Sequence, residues 1–265
     1  MFITIEGIKY HIKIKGKGKP IFCLHGFSEN LNTWDEIKIP GYRMIMLDFI
    51  GHGKTEKPID LKFYDWQVMV RHLNILINKL CFTKYSLLGY SMGGRIALAY
   101  ALAYPNEIES LILESASYGE CGFINRIRRR KNDERLAQKI GHYGINWFNK
   151  YWSEMPIFAT QTKLDEAIKN KIEERRLLNM PDALANTLKG SGQGTFPCLE
   201  NKISKLSMPV LFLNGEYDKR YRQIGEKFKD LNPRIRLEII KGVGHNTHIE
   251  DSSAFNKIIN NFLNK

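Results

Sequence analysis

The stretch YSLLGYSMGGRIAL, residues 85 to 98, decides the fold of this 265-residue chain. Its first half is a short apolar run, which is typical of a strand buried on both faces. An amphipathic helical pattern follows over residues 92 to 103. Ser91 stands at the junction between Gly89 and Gly93, which lack side chains and so let the backbone turn sharply and expose the serine. The stretch therefore predicts a reactive serine on a strand-to-helix turn, although a serine that only caps the helix is the simpler alternative.

The alternation of strand and helix continues on both sides of this stretch. Two segments near the amino terminus alternate apolar and polar side chains with period two, which predicts a hairpin of residues 2 to 6 and 9 to 15. Further apolar runs predict buried strands at PIFCL (20 to 24), RMIMLD (43 to 48), SLILES (110 to 115), PVLFLNG (209 to 215) and IRLEII (235 to 240). Further helical patterns cover residues 63 to 80, 221 to 230 and 252 to 263. We therefore expect an α/β protein with a mostly parallel, twisted sheet and helices on both faces.

One connection is much longer than the others. About 90 residues separate the strand that ends near Glu114 from the strand that begins at Pro209, and structureless loops of that length are uncommon in compact domains. The segment is rich in helix formers and aromatic residues. We expect residues 1 to 118 and 205 to 265 to form the core, and residues 119 to 204 to form a helical cap, or lid, above the carboxyl ends of the strands.

Composition and charge limit the possible cellular compartments and binding partners. The formal charge of +12 fits nucleic acid, an anionic surface or a small polyanionic substrate, although much of the lysine is scattered as on a solvated surface. We find no recognised nucleic-acid-binding motif, no apolar run long enough to cross a bilayer and no secretory signal pattern. We therefore expect a cytoplasmic protein without membrane insertion. The cysteines are far apart, which fits a reducing compartment: Cys23, Cys81, Cys121 and Cys198.

A serine hydroxyl becomes reactive only when a neighbour takes its proton, so the chain should also supply an acid and an imidazole. Asp218 follows one predicted strand, and His245 follows the next. The order serine, acid, histidine is that of the α/β-hydrolase fold. Glu216 is the alternative acid and His248 the alternative base, but we favour Asp218 and His245 as partners of the serine.

The serine would need donors that stabilise negative charge on a substrate oxygen. In α/β-hydrolases one backbone N–H follows the serine, and a second comes from the loop after an early strand. Those positions are Met92 and, in the segment CLHGFSEN, Phe27. We expect His25 and His52, which lie in this loop and in the next one, to have structural roles.

Arginines surround the predicted serine in the sequence. Arg95 follows Ser91 by four residues, which places it about one helical turn along the same face. Five of the six residues from 126 to 131 are basic, and Arg175 and Arg176 are adjacent. Guanidinium groups pair bidentately with carboxylates, so this set favours a substrate with several carboxylates. The alternative for the basic run is a solvated helix face.

Several segments in the same order resemble one family of α/β-hydrolases. They include LHGF, GHG, GYSMGGR, ESASYG, RRRKNDERLA, WSEMPIFA, RRLLNMPDALANTL, GEYDKRY and GHNTHIE. Together they resemble the 2-succinyl-6-hydroxy-2,4-cyclohexadiene-1-carboxylate (SHCHC) synthases of menaquinone biosynthesis over nearly the whole chain. The resemblance implies substrate-binding roles for Tyr90, Arg95, Arg129, Trp152 and Arg176. Arg128 or Arg130 could replace Arg129 in this alignment, and Arg175 could replace Arg176.

The resemblance also implies an elimination rather than a hydrolysis. The family removes a ring proton from 2-succinyl-5-enolpyruvoyl-6-hydroxy-3-cyclohexene-1-carboxylate (SEPHCHC) and expels pyruvate, with no metal or organic cofactor. Ser91 would then act as a base with help from His245, and a small polycarboxylate would be the only partner implied. Two alternatives remain open at this point: a hydrolase for esters or thioesters of acidic molecules, and a non-catalytic binding protein on the same scaffold.

Overall fold

An eight-stranded sheet forms the centre of the computed structural model, which describes residues 1 to 264. The strands lie in the order β1-β2-β4-β3-β5-β6-β7-β8. The first two form an antiparallel hairpin, β2 also pairs antiparallel with β4, and all other neighbours are parallel. The predicted hairpin and mostly parallel sheet are therefore confirmed. The strands are β1 (Phe2–Ile5), β2 (Ile8–Gly16), β3 (Lys19–Leu24), β4 (Tyr42–Leu47), β5 (Tyr85–Tyr90), β6 (Ile108–Glu114), β7 (Val210–Gly215) and β8 (Arg236–Ile240).

The register of the central strands brings their carboxyl ends to one edge of the sheet. Leu24 at the end of β3 lies opposite Gly89 in β5, and Tyr90 at the end of β5 lies opposite Glu114 in β6. Glu114 in turn lies opposite Leu213 near the end of β7. The loops that follow these strands therefore meet in one crevice, which is where open α/β sheets bind their ligands.

Helices cover both faces of the sheet, as predicted. Adjacent side chains of β5 point to opposite faces, so that Leu87 packs in one large apolar cluster with Ile96, and Leu88 packs in another with Trp34 and Phe255. No helix in residues 1 to 264 is long and apolar enough to cross a membrane. The α-helices are α1 (Trp66–Lys79), α2 (Met92–Ala103), α3 (Phe123–Ser153), α4 (Glu166–Leu177), α5 (Pro181–Ser191), α6 (Lys219–Leu231), α7 (Thr247–Glu250) and α8 (Ser252–Leu263).

The long segment between β6 and β7 is helical. It contains α3, α4 and α5 and a 3-10 helix, Pro156–Lys163. Gly144 has φ 78° and interrupts α3, which explains how one element of 31 residues can bend around its neighbours. A small apolar cluster of α3 and α5 side chains, including Ile140, Phe148 and Leu184, packs against Phe27 of the core. The segment is thus held over the crevice by an apolar contact.

Two cysteines differ from the expectation of unpaired thiols. Cys121 and Cys198 form a disulfide, with 5.0 Å between their Cα atoms and 77 residues between them in the chain. They lie where the helical segment leaves β6 and where it returns towards β7, and these strands are neighbours in the sheet. Sequence spacing carried no sign of the pair, because the strand order brings the two positions together. Cys23 is buried as a free thiol, and Cys81 is exposed.

Candidate active site

Ser91 sits on a strained turn between β5 and α2. Its φ of 51° and ψ of −107° belong to a conformation that side chains other than glycine rarely adopt. A Cβ on Gly93 would lie 2.2 Å from the carbonyl oxygen of Leu24, so only glycine fits there. The Ser91 N–H donates to the carbonyl of Glu114 at 2.9 Å, which ties the turn to the neighbouring strand. The turn therefore directs the hydroxyl into the crevice, as the sequence predicted.

A chain of hydrogen bonds connects Ser91 to an acid. The Ser91 Oγ lies 3.1 Å from Nε2 of His245, and Nδ1 of His245 lies 2.6 Å from Oδ2 of Asp218. His245 and Asp218 are buried, 2% and 7% exposed. Asp218 follows β7 and His245 follows β8, so two neighbouring loops bring them to the serine. With a proton on Nδ1 facing the carboxylate, Nε2 can accept the serine proton.

The alternative acid and base have other partners. The Glu216 carboxylate accepts a hydrogen bond from the N–H of Gly242 at 2.9 Å and so connects the loops after β7 and β8. The His248 Nδ1 lies 2.7 Å from Glu114 Oε2, and its Nε2 lies 2.7 Å from the Thr33 hydroxyl. Neither side chain contacts Ser91 in this arrangement, which leaves Asp218 and His245 as the candidates.

Glu114 and His248 form a second buried carboxylate–imidazole pair, which sequence reasoning missed. Both side chains are fully buried. The other carboxylate oxygen of Glu114 accepts from the Thr247 hydroxyl at 2.7 Å and from the His248 N–H at 2.9 Å. Because the Glu114 backbone also holds Ser91, this one residue braces both the serine turn and the loop that carries His245. A glutamate at the end of an apolar strand was the available signal, since such a buried charge needs partners.

Two residues that line the crevice beside Ser91, Phe27 and Met92, have backbone N–H groups that are not used within the described chain. Among the described residues, neither the Phe27 nor the Met92 N–H donates a hydrogen bond. Met92 is the first residue of α2, where the helix dipole also favours negative charge. His25 supports the Phe27 loop: its Nδ1 donates to the carbonyl of Gly26 at 2.7 Å, and its Nε2 accepts from the Phe49 N–H at 2.9 Å. The structural role predicted for His25 is therefore confirmed.

A cavity of about 500 Å³ opens above Ser91. Aromatic rings form one wall, with Trp152 edge-on to Phe27 at 5.4 Å and Phe158 edge-on to His245 at 5.9 Å. Tyr90 also lines the cavity, and burial raises the pKa of its phenol well above the ordinary value. Polar and basic side chains also line the cavity and are called here the basic wall: Arg95, Arg129, Ser191, Gln193, Lys219 and Arg220.

Arg95 is a buried cation that pairs with no carboxylate of the described residues. It is 7% exposed, and its guanidinium lies 5.7 Å above the Phe196 ring. It donates one hydrogen bond, from Nη2 to the carbonyl of Ser191 at 3.3 Å, and its buried Nε has no acceptor among the described residues. Burial lowers the pKa of Arg95 to about 10, and the side chain stays charged at neutral pH. A carboxylate entering the cavity would satisfy this group.

Arg129 lies on the same wall, and some of its N–H groups are already hydrogen-bonded within the protein. Its Nε donates to Asp133 at 2.8 Å, and its Nη1 donates to the Gln193 amide oxygen at 2.9 Å. The buried Gln193 Nε2 has no acceptor in the described chain and remains able to donate to a ligand. Of the basic run, Arg129 lines the cavity, whereas Arg128 and Arg130 do not.

Arg176 does not line this cavity. It is buried in α4, where Nη1 donates to the Asn149 side-chain oxygen at 3.1 Å. Burial lowers its pKa, while the nearby charge of Glu29 opposes that shift. Neighbouring Arg175 pairs with buried Glu29 at 2.7 Å. In the geometry described here, neither arginine of α4 is available to a molecule beside Ser91.

Sequence reasoning assigned no role to Lys219, Arg220 or Gln193, although all three line the cavity. The two cations directly follow Asp218, so their position beside a predicted acid was an available signal. Arg220 reaches across to Glu120 at 3.0 Å and is half exposed at the mouth. Gln193 lies in an irregular stretch after α5, and no pattern in the sequence indicated it.

Comparison with known proteins agrees with the fold. A model of the alpha/beta hydrolase fold matches residues 19 to 252. A putative SHCHC synthase from Bacillus subtilis is 35% identical over 98% of this chain and 97% of its own length. An SHCHC synthase from Serratia proteamaculans is 27% identical over 92% of each chain. The structure of MenH from S. aureus superposes with a TM-score of 0.90 at 32% identity, covering 96% of this chain and 98% of that one. The chain therefore belongs to the α/β-hydrolase family and, within it, to the group of SHCHC synthases.

Proposed function

We propose that this protein is an SHCHC synthase, a carbon–oxygen lyase of menaquinone biosynthesis that eliminates pyruvate from SEPHCHC. The observation that carries the proposal is Arg95, a buried guanidinium in the wall of the cavity that Ser91 faces, which has no carboxylate partner in residues 1 to 264. An enzyme for neutral esters gains nothing from such a group, whose burial costs free energy while no anion is bound. A polycarboxylate substrate supplies that anion.

In the proposed reaction, Ser91 is a base rather than an acyl acceptor. His245 takes the proton of the Ser91 hydroxyl as the serine oxygen removes the proton from a ring carbon, and Asp218 stabilises the imidazolium. The electron pair of the broken C–H bond forms a ring double bond at position 2, the existing double bond shifts from position 3 to position 4, and the C–O bond to the enolpyruvoyl group at position 5 breaks. The departing enolpyruvate takes a proton and becomes pyruvate. Negative charge on the substrate carbonyl is stabilised by the Phe27 and Met92 N–H groups.

The basic wall would orient the substrate for this step. Arg95 and Gln193 have free donors, and Arg129 would turn a donor from Gln193 towards the substrate. Arg176 could contribute only if its guanidinium left Asn149 and turned towards Tyr90. Fixing several carboxylates at once holds the ring in a single orientation above Ser91, which is the main advantage of planar guanidinium forks.

A second candidate is hydrolysis of esters or thioesters of acidic molecules. The hydrogen-bonded Ser91, His245 and Asp218, with two free backbone donors, would serve acyl transfer equally well. The two functions differ in the fate of Ser91, which becomes acylated only in the hydrolase.

Pyruvate release separates these functions. Purified protein would be given SEPHCHC, and pyruvate would be coupled to NADH oxidation by lactate dehydrogenase. We expect rapid pyruvate formation and little cleavage of nitrophenyl esters. Absence of pyruvate together with fast ester cleavage and a burst of nitrophenol would overturn the lyase proposal and favour the hydrolase. The Ser91→Ala variant controls for spontaneous elimination.

A further inference from the structure

The first turns of α3 expose large apolar side chains. Phe123, Ile124 and Ile127 are 79%, 71% and 41% exposed. Residues three and four apart share a helix face, so these three side chains form one continuous strip, called here the α3 stripe. Scattered single apolar residues on a surface need no explanation, but a contiguous group usually marks an interaction site.

Cations border the α3 stripe. Arg126, Arg128, Arg130 and Lys131 are all exposed, and residues 121 to 132 contain no acidic side chain. These cations repel one another unless an anion lies nearby. The sequence pattern alone could not distinguish a substrate site from a solvated face. In the structure, the basic residues from 126 to 131 are divided between the cavity and the exposed surface.

The cavity uses one member of the basic run. Arg129 and Asp133, four residues apart, lie on the side of α3 that faces the cavity and pair at 2.8 Å. Arg130 pairs with Glu134 at 3.2 Å in an exposed contact, which adds little stability. The stripe and the cations beside it therefore have no part in the candidate active site.

We propose that the α3 stripe docks the protein onto membrane surfaces that contain anionic lipids. The three apolar side chains would enter the boundary between headgroups and acyl chains, and the bordering cations would contact lipid phosphates. Apolar residues on one helix face with arginine and lysine beside them are the pattern of an interfacial helix. Such binding is peripheral and reversible.

The shape and chemistry of the stripe favour lipid over other anionic partners. Side chains that are 71% and 79% exposed project from the surface, and a lipid interface deforms around a projection, whereas a protein partner would need a matching groove. Nucleic acid would attract the cations but offers no apolar layer for isoleucine side chains. The net charge of +12 adds long-range attraction to an anionic surface.

Vesicle flotation with the full-length protein tests this proposal. Vesicles of phosphatidylcholine alone would be compared with vesicles that also contain about 30 mol % phosphatidylglycerol. We expect binding to the anionic vesicles only, weakened as NaCl rises from about 0.05 M to about 0.5 M. A variant with Phe123→Ser, Ile124→Ser and Ile127→Ser should lower the bound fraction about fivefold or more. A variant with Arg126→Gln, Arg130→Gln and Lys131→Gln should do the same.

Matched controls remove similar groups elsewhere. Ile59→Ser removes an apolar side chain that is 96% exposed in a different loop. A variant with Lys15→Gln, Lys17→Gln and Lys19→Gln removes three exposed charges from the β2–β3 connection. Both controls should bind anionic vesicles as the wild type does. All variants concern exposed side chains outside the cavity, so pyruvate release from soluble substrate should also be unchanged, which checks that they fold.

Three outcomes would overturn the proposal. The first is no binding of the wild type to anionic vesicles at low salt. The second is loss of binding in the lysine control equal to the loss in the stripe variants, which would indicate a diffuse charge effect. The third is tight binding of the wild type to a single-stranded polyribonucleotide together with weak binding to vesicles. In that case the variant with Phe123→Ser, Ile124→Ser and Ile127→Ser would also keep its binding to the polyribonucleotide. That result would assign the basic run to nucleic acid instead.

Discussion

Two regions of the site differ in how their polar groups are satisfied: the buried carboxylate–histidine pairs near Ser91, called here the floor, and the basic wall of the cavity. On the floor, Asp218 pairs with His245 and Glu114 pairs with His248, at 2.6 and 2.7 Å. On the wall, Arg129 pairs with Asp133, but Arg95 Nε and Gln193 Nε2 have no acceptor within residues 1 to 264. The floor is thus complete before substrate arrives, whereas the wall becomes complete only when an anion binds. We propose that this difference separates the groups that carry out the chemistry from those that select and orient the substrate.

The largest expected effect is on the floor. Ser91→Ala removes the proposed base, and we expect kcat for pyruvate release to fall about 1000-fold or more with KM changed little. KM should change little because the hydrogen-bond donors of the basic wall, which would bind the substrate carboxylates, remain in place. Steady-state kinetics measure both constants, and circular dichroism checks the fold. Retention of full activity would mean that another group removes the proton.

Replacing Arg95, which is buried on the wall, should change stability in the opposite direction from replacing Arg175, which is largely buried in an ion pair. Arg95→Met removes a cation without a carboxylate, so we expect kcat/KM to fall about tenfold or more. The free energy of unfolding should rise by about 1 kcal/mol in the same variant, because the burial cost disappears. Arg175→Met, by contrast, leaves Glu29 buried and unpaired and should lower stability by about 3 kcal/mol.

Urea denaturation without substrate measures both stability changes. If Arg95→Met destabilises the protein as much as Arg175→Met does, Arg95 contributes to the fold, and its role in the wall would need another explanation. An unchanged kcat/KM would remove Arg95 from the proposed substrate site.

The second pair on the floor should act through position rather than charge. Glu114→Ala removes the partner of His248 and Thr247, and we expect kcat to fall about tenfold with KM nearly constant. Glu114→Gln can keep all three hydrogen bonds if His248 moves its ring proton to the other nitrogen, so most of kcat should return. Comparison of kcat and KM for the two variants checks this. An equally low kcat for Glu114→Gln would show that the negative charge itself is needed.

The smallest expected effect is the contribution of His52 to the pH dependence of stability. Burial lowers the pKa of His52 to about 3, well below its value of about 6.5 in an unfolded chain. The unfolded chain therefore takes up a proton first as pH falls, and the stability present above pH 6.5 is progressively lost between about pH 6.5 and pH 3. At pH 5 the loss from this one group should be at most about 2 kcal/mol.

Urea denaturation at two pH values isolates this contribution. We expect His52→Gln to lose less stability than the wild type when pH falls from 7 to 5. His142→Gln changes an exposed histidine and is the matched control. If both variants lose as much stability as the wild type, His52 does not determine the acid sensitivity.

Local patterns were sufficient for the fold and for the residues that follow each strand. Six apolar runs and the two alternating segments of the hairpin predicted the strands to within about two residues, because strands and amphipathic helices have different periodicities. The positions of Ser91, Asp218 and His245 followed from the same patterns, since parallel strands bring their carboxyl ends to one edge. Of the residues assigned from resemblance, Tyr90, Arg95, Arg129 and Trp152 line the cavity, whereas Arg176 faces Asn149.

The sequence by itself determined the serine turn, the order of the acid and the histidine, and the helical segment between β6 and β7, because each is encoded by neighbouring residues. Tertiary structure decided which cation of the basic run faces the cavity and which ones face outwards beside the α3 stripe. It also decided the pairing of Cys121 with Cys198 and of Glu114 with His248, across 77 and 134 positions of the chain. The physical reason is that such contacts depend on the order of strands in the sheet, which local periodicity does not specify.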